Sequence, residues 1–190
     1  MLAHERALLD RAQRRDVAAF EELVRPYEAQ LLRLVLAVAG NRDDAEDSLQ
    51  EALVRAYKAL PAFRGDSALG TWLTRIALNC TRNWLRSQAR ASSERIAQRL
   101  APCRAGYQND PTDCLVEQEK RVLIRHALAA LPDHYRSPLL MRHYQDMSYA
   151  DIAEVLQIPI GTVRSRLAQA RNLLLRKLRA TGYPIDGDER

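Results

Sequence analysis

The sequence predicts an all-α fold: two small helical domains joined by a flexible linker, the C-terminal one containing a helix-turn-helix. Three observations point there. Apolar residues recur at three- and four-residue spacing through most of the chain, and only 7 Gly and 8 Pro interrupt its 190 residues. Residues 87–115 break that periodicity. They are polar, carry Pro102, Gly106 and Pro111, and lack the apolar stripe that would bury a core of their own. Residues 148–171, SYADIAEVLQIPIGTVRSRLAQAR, read as a helix, a tight turn and a second helix. No strand pattern and no internal repeat is evident.

The elements follow in order. Residues 1–14 form a short helix. Asp16 caps the next, whose stripe runs Phe20, Leu23, Val24, Tyr27, Leu31, Leu34, Val35 and Val38 until Gly40-Asn41 ends it. Asp43 or Asp44 starts a third helix, acidic in its first turn as the helix dipole favours; Pro61 stops it. A loop, Phe63-Arg64-Gly65-Asp66-Ser67, leads to a helix over about 68–90, with Ser67 or Asp66 as its cap and Leu69, Trp72, Leu73, Ile76, Ala77 and Cys80 on its apolar side. One short helix is expected near 93–100. Helices at 115–130 and 133–145 precede the helix-turn-helix. The expected domains are therefore 1–90 and 116–180, with a linker at 91–115 and a tail at 181–190.

Composition narrows the class. Hydrophobic residues at 47% against 28% charged residues suit a soluble protein with packed cores. The N-terminus, MLAHERALLDRAQRRD, carries acids and lacks the apolar centre of a signal peptide. The longest apolar run, Leu34 to Gly40, is far too short to span a bilayer. A cytoplasmic protein with no membrane insertion is expected. Cys80, Cys103 and Cys114 form no C-x-x-C pair, and the four histidines are scattered, so the sequence gives no metal site and no cofactor. It also shows no nucleophile motif and no Gly-rich phosphate loop, which argues against an enzyme.

Charge is distributed unevenly. Residues 1–60 carry a net −2, whereas 63–100 and 116–179 each carry +5. Two basic blocks behind an acidic first segment point to two nucleic-acid surfaces and one surface for a different, basic partner. The finer pattern agrees. Asp44, Asp47 and Glu51 share one helical face, with Gln50 beside them and Glu46 flanking. Asn79, Arg82, Asn83 and Arg86 share a polar, cationic face further on. In the helix-turn-helix, Ile152, Ala153, Leu156, Ile158 and Val163 stand where apolar or small residues are needed. Gln157 stands where many such motifs have Gly. The second helix carries Arg164, Arg166, Arg171, Arg176, Lys177 and Arg179 with no carboxylate among them, which suits the major groove and its flanking phosphates.

Taken in order, DAEDSLQEALVRAYKAL (44–60), FRGDSALGTWLTRIALNCTRNWLR (63–86) and ALPDHYRSPLLMRHYQDMSYADIAEVLQIPIGTVRSRLAQARNLLLRKL (130–178) resemble a bacterial sigma factor of the extracytoplasmic-function group. The resemblance covers about 15–86 and 116–179. It implies an alternative sigma factor that binds core RNA polymerase and selects promoter DNA, without catalysis of its own. It implies that Asp44, Asp47, Gln50 and Glu51 dock on a coiled coil of the polymerase's largest subunit, where a carboxylate stripe suits a basic mate. The loop residues Arg64, Asp66 and Ser67, with Asn79, Arg82, Asn83 and Arg86, would contact the minus-10 element and capture a flipped base. Thr162, Val163, Arg164, Ser165, Ala168, Gln169 and Arg171 would meet the minus-35 element, Arg164 reaching guanine and Arg171 a phosphate. It further implies a membrane-tethered anti-sigma protein that holds the factor inactive until a stress signal arrives.

Two departures from the family pattern stand out. Leu69-Gly70 replaces a usual aromatic pair, and Ala168 and Gln169 replace a frequent bulky residue and Arg. Trp72 and Trp84 fall on the apolar stripe and so read as core before stacking platforms. The alternative reading is a conventional helix-turn-helix regulator with an N-terminal sensor or dimerisation domain. Such a domain gives no reason for an acidic docking helix followed by an Asn/Arg-rich one.

Overall fold

The computed structural model describes residues 3–93, 115–181 and 183. Among them are eight α-helices and no strand: α1 (Ala3–Gln13), α2 (Val17–Ala39), α3 (Arg42–Ala59), α4 (Leu69–Ser93), α5 (Leu115–Ala129), α6 (Asp133–Tyr144), α7 (Tyr149–Leu156) and α8 (Ile160–Ala180). The chain divides into two compact units, Met1–Arg104 and Ala105–Arg190. The all-α class and the helix-turn-helix are as the sequence predicts. The expected short helix at 93–100, most of the linker, Cys103 and Cys114 lie outside the described residues.

In the first unit, Asp16 bridges α1 and α2. Its Oδ1 accepts the Ala19 N–H at 3.1 Å, and its Oδ2 takes two bonds from the Arg11 guanidinium. The Ala19 N–H and then the Arg11 cation hold its carboxyl below the usual aspartate range. Gly40, at φ +87°, ends α2 with its N–H on the Leu36 carbonyl. Asn41, not Asp43 or Asp44, then caps α3. Its backbone is extended at φ −140°, and its Oδ1 accepts the Asp44 N–H at 2.9 Å. The turn at Gly40 sets that backbone, which leaves Asp43 and Asp44 inside the first helical turn.

The core of this unit joins Leu23, Val24, Leu31 and Val35 of α2 to Leu49, Ala52 and Ala56 of α3 and Leu69, Leu73 and Ala77 of α4, with Leu8, Leu9 and Ala12 of α1 closing one side. Alanines at 45, 52 and 56 let α3 lie close to its neighbours. Helix α4 runs past Arg90 to Ser93, so residues 87–93 are helical and not part of the linker as expected from their polarity. The period continues there with only Ala89 and Ala91, and no large apolar residue, to mark it.

The second unit is built around α8, which packs on α5, α6 and α7. Leu139, Leu140, Met141, Ile152, Val163, Leu167 and Ala170 are buried in it. Pro132 precedes α6 and Pro159 precedes α8, each fixing φ for entry into the helix.

Candidate nucleic-acid and partner interfaces

Helix α3 carries the acidic stripe. Asp47 and Gln50 are exposed. Glu51 is half-buried and pairs with Arg55 one turn on; Glu46 pairs with Arg42 in the same way. Asp44 is engaged at the helix start, where its carboxylate accepts the Asn41 amide at 2.7 Å. The stripe therefore offers Asp47 and Gln50 most freely. One turn further along lies Val54, 52% exposed, a residue off the apolar stripe to which the sequence reading gave no role. Val54 faces an open groove of about 520 Å3 between α2 and α3, lined also by Val17, Phe20, Val24, Leu53 and Tyr57. Val17 is 53% exposed. The acidic stripe thus adjoins a groove whose apolar lining is joined by Glu21, Arg25 and Glu28.

The loop before α4 is anchored at its base. Phe63 is buried, with its ring 5.0 Å from that of Trp72. Trp72 is buried as the apolar stripe predicted, and Trp84 is half-buried with its indole N–H enclosed and without a partner among the described residues. Arg64 and Asp66 are exposed and Ser67 half-buried; between them Gly65 takes φ +79°, a conformation that a side chain would strain. On α4, Asn79, Asn83 and Arg86 are exposed along one face, while Arg82 is half-buried beside them. Leu78, Cys80 and Thr81 point into the core opposite. Burial pushes the Cys80 thiol up, which keeps it protonated.

Helix α7 is set by a reciprocal cap: the Ser148 hydroxyl accepts the Asp151 N–H at 3.1 Å, and the Asp151 carboxylate accepts the Ser148 N–H at 3.1 Å. Gln157 then turns the chain in the left-handed region, at φ +54° and ψ +46°, and its N–H bonds the Ala153 and Glu154 carbonyls. This is the geometry for which Gly is usual.

Helix α8 has two faces. Val163, Leu167, Ala170 and Leu178 are buried, while Arg164, Ser165, Ala168, Gln169 and Arg171 are exposed and Thr162 is half-buried. Val163 is thus a correction. The sequence reading placed it with the base-contacting residues, but it is wholly buried, because its spacing to Leu167 and Ala170 puts it on the inner face. The Ser165 hydroxyl donates to the Thr162 carbonyl at 3.0 Å and so keeps its lone pairs for an outside donor.

Among the described residues, no group of three or more His, Cys, Asp or Glu could hold a metal ion, and no helix is long and apolar enough to cross a membrane.

Comparison with known proteins places these surfaces in a family. Residues 23–91 match Sigma-70 region 2 and residues 121–174 match Sigma-70, region 4. Helix α1 precedes the matched span. The chain is 36% identical to the RNA polymerase sigma-H factor of Pseudomonas aeruginosa, over 90% of this chain and 91% of that protein. It is 34% identical to the ECF RNA polymerase sigma-E factor of Escherichia coli K12, over 92% and 94%. Its fold is similar to that of the sigma factor RpoE of Bartonella quintana, solved with the anti-sigma factor NepR, at TM-score 0.72, 24% identity and coverage of 84% and 96%. It is also similar to CnrH in complex with the cytosolic domain of CnrY, at TM-score 0.70, 24% identity and coverage of 94% and 99%. Both region matches, in order and joined to relatives that align along nearly the whole chain, make this protein a transcription initiation factor of the sigma-70 family, in its extracytoplasmic-function group.

Proposed function

We propose that this chain recruits core RNA polymerase through the exposed face of α3, contacts the minus-10 element with the 63–67 loop and the Asn79–Arg86 face of α4, and reads the minus-35 element with the outer face of α8. The observation that carries this is the division of α8: a buried apolar face, and an exposed face that presents Arg164, Ser165, Gln169 and Arg171 with no carboxylate on the helix. Cations unpaired by neighbouring acids release counterions on reaching phosphates, and the residues of the first turns lie nearest base edges.

Asp47, Gln50 and Glu51 are the core-binding residues in this reading, Asp44 serving mainly to start the helix. The protein acts in the cytoplasm, where polymerase is. A membrane-tethered anti-sigma protein holds it inactive by covering these faces. Similar folds solved with NepR and with the cytosolic domain of CnrY support this part of the reading.

Purified chain, core polymerase and a promoter fragment provide the test. Promoter-directed transcripts should appear only when chain and core are combined. A chain that binds promoter duplex tightly alone, and leaves promoter choice by core polymerase unchanged, would instead be a conventional regulator.

A further inference from the structure

We infer that Gln13, on the helix that precedes the matched family span, is a positioning residue for the minus-10 loop. The inference rests on the reading of residues 63–67 as that loop.

Gln13 is the last residue of α1 and is half-buried. Its side-chain amide donates to the Phe63 carbonyl at 2.8 Å and to the Leu60 carbonyl at 3.3 Å. The Phe63 carbonyl belongs to the peptide plane whose nitrogen is that of Arg64. Fixing that oxygen fixes the direction in which Arg64 leaves the protein. The Leu60 carbonyl also accepts the Phe63 N–H at 2.9 Å, so Gln13 braces the short turn that feeds the loop. The Phe63 ring against Trp72 holds the same residue from its other side. Beyond Arg64, Gly65 turns the chain at φ +79° toward Asp66.

Gln13 is itself held in place. The next residues turn sharply, with Arg15 at φ +73°, and the Tyr57 hydroxyl of α3 donates to the Arg15 carbonyl at 2.8 Å. The end of α1 is therefore tied to α3, and its amide reaches the loop that follows α3. A loop that traps an unpaired base binds it at lower cost when its polar groups are held in place before the base arrives. Gln13 supplies that order from outside the loop.

The test uses full-length chain assembled with core polymerase. Gln13→Met keeps length and packing but removes both donors; Gln13→Asn keeps the amide but falls one methylene short. Arg64→Ala combined with Asp66→Ala serves as the loop control. The readouts are core affinity and the ratio of affinities for a single-stranded minus-10 oligonucleotide and a scrambled one. Both Gln13 variants should lower that ratio about five- to tenfold, as loss of a positioning hydrogen bond implies, with core affinity held within about twofold. A ratio unchanged in both Gln13 variants while the loop control loses it overturns the inference and leaves the loop reading intact. Core affinity falling in step with oligonucleotide affinity also overturns it, since that marks a general loss of structure. A ratio unchanged in the loop control overturns the loop reading itself, and the inference with it.

Discussion

A methyl group added at Gly70 would lie 2.9 Å from Cε1 of Tyr27 and 3.2 Å from its Cδ1. The ring of α2 sits on the bare backbone of α4. Glycine at position 70 leaves room for that close approach. Tyr27 cannot simply swing away, because its hydroxyl donates to Glu5 at 3.1 Å. Gly70→Ala should therefore destabilise the first unit by about 1–2 kcal/mol, the steric cost outweighing the gain of about 1 kcal/mol in helix propensity. Thermal denaturation of Gly70→Ala, Tyr27→Leu and the double variant checks it. The alanine should become stabilising once the ring is gone.

Neighbours on α8 should behave in opposite ways. Val163→Ala should cost about 2 kcal/mol of stability and leave promoter preference alone, because its side chain is wholly buried. Arg164→Ala should leave the melting temperature unchanged and weaken minus-35 binding by about 1–3 kcal/mol, with relaxed base preference. Duplex binding assays on wild-type and substituted elements separate the two.

Charge reversal at Asp47 and Glu51 should weaken holoenzyme assembly about tenfold or more at low salt, and less as salt rises. Stability should fall by no more than about 1 kcal/mol, because neither side chain is buried in the core and the loss is confined to exchanging the surface Glu51–Arg55 pair for a like-charge contact. Wild-type core affinity in the double lysine variant would place the docking surface elsewhere.

Gln157→Gly should stabilise the second unit by about 0.5–1 kcal/mol, because glycine adopts the left-handed turn without the strain a side chain meets there. A chemical denaturation midpoint lower than wild type would mean that the Gln157 side chain holds the turn by itself.

Asp16 sets a pH dependence. Its carboxyl titrates below the usual aspartate range because the Ala19 N–H and Arg11 favour the charged form. The stabilisation is present above the unfolded aspartate pKa and is lost as pH falls through the lowered folded value. Melting curves of wild type and Asp16→Ala should therefore converge in acid and separate as pH approaches neutrality.

The helix periods, the Asp16 cap, the stop at Gly40 and the helix-turn-helix were all legible in the sequence, because each rests on residues within a few positions of one another. What was not legible depended on contacts distant in sequence or on competition. Asn41, Asp43 and Asp44 can all cap a helix, and the turn at Gly40 decides among them. Val17 and Val54 lie off the apolar stripes, and the groove they line forms only where α2 meets α3. Gly70 looks like a defect until Tyr27 is placed beside it. Val163 stood in the sequence both among the apolar positions of the motif and in the base-reading set; its burial upholds the first reading and removes it from the second.

The two faces of α8 also bear on how such a protein changes over generations. The side chains that hold the helix in place and those that face outward are different residues, interleaved along the chain yet separated around the axis. If the outer face reads DNA as proposed, a substitution at 164, 165, 168 or 169 would alter what the helix recognises without disturbing what keeps it folded. On that reading, a lineage would be able to revise its set of target genes by single steps, each one tolerated by the fold.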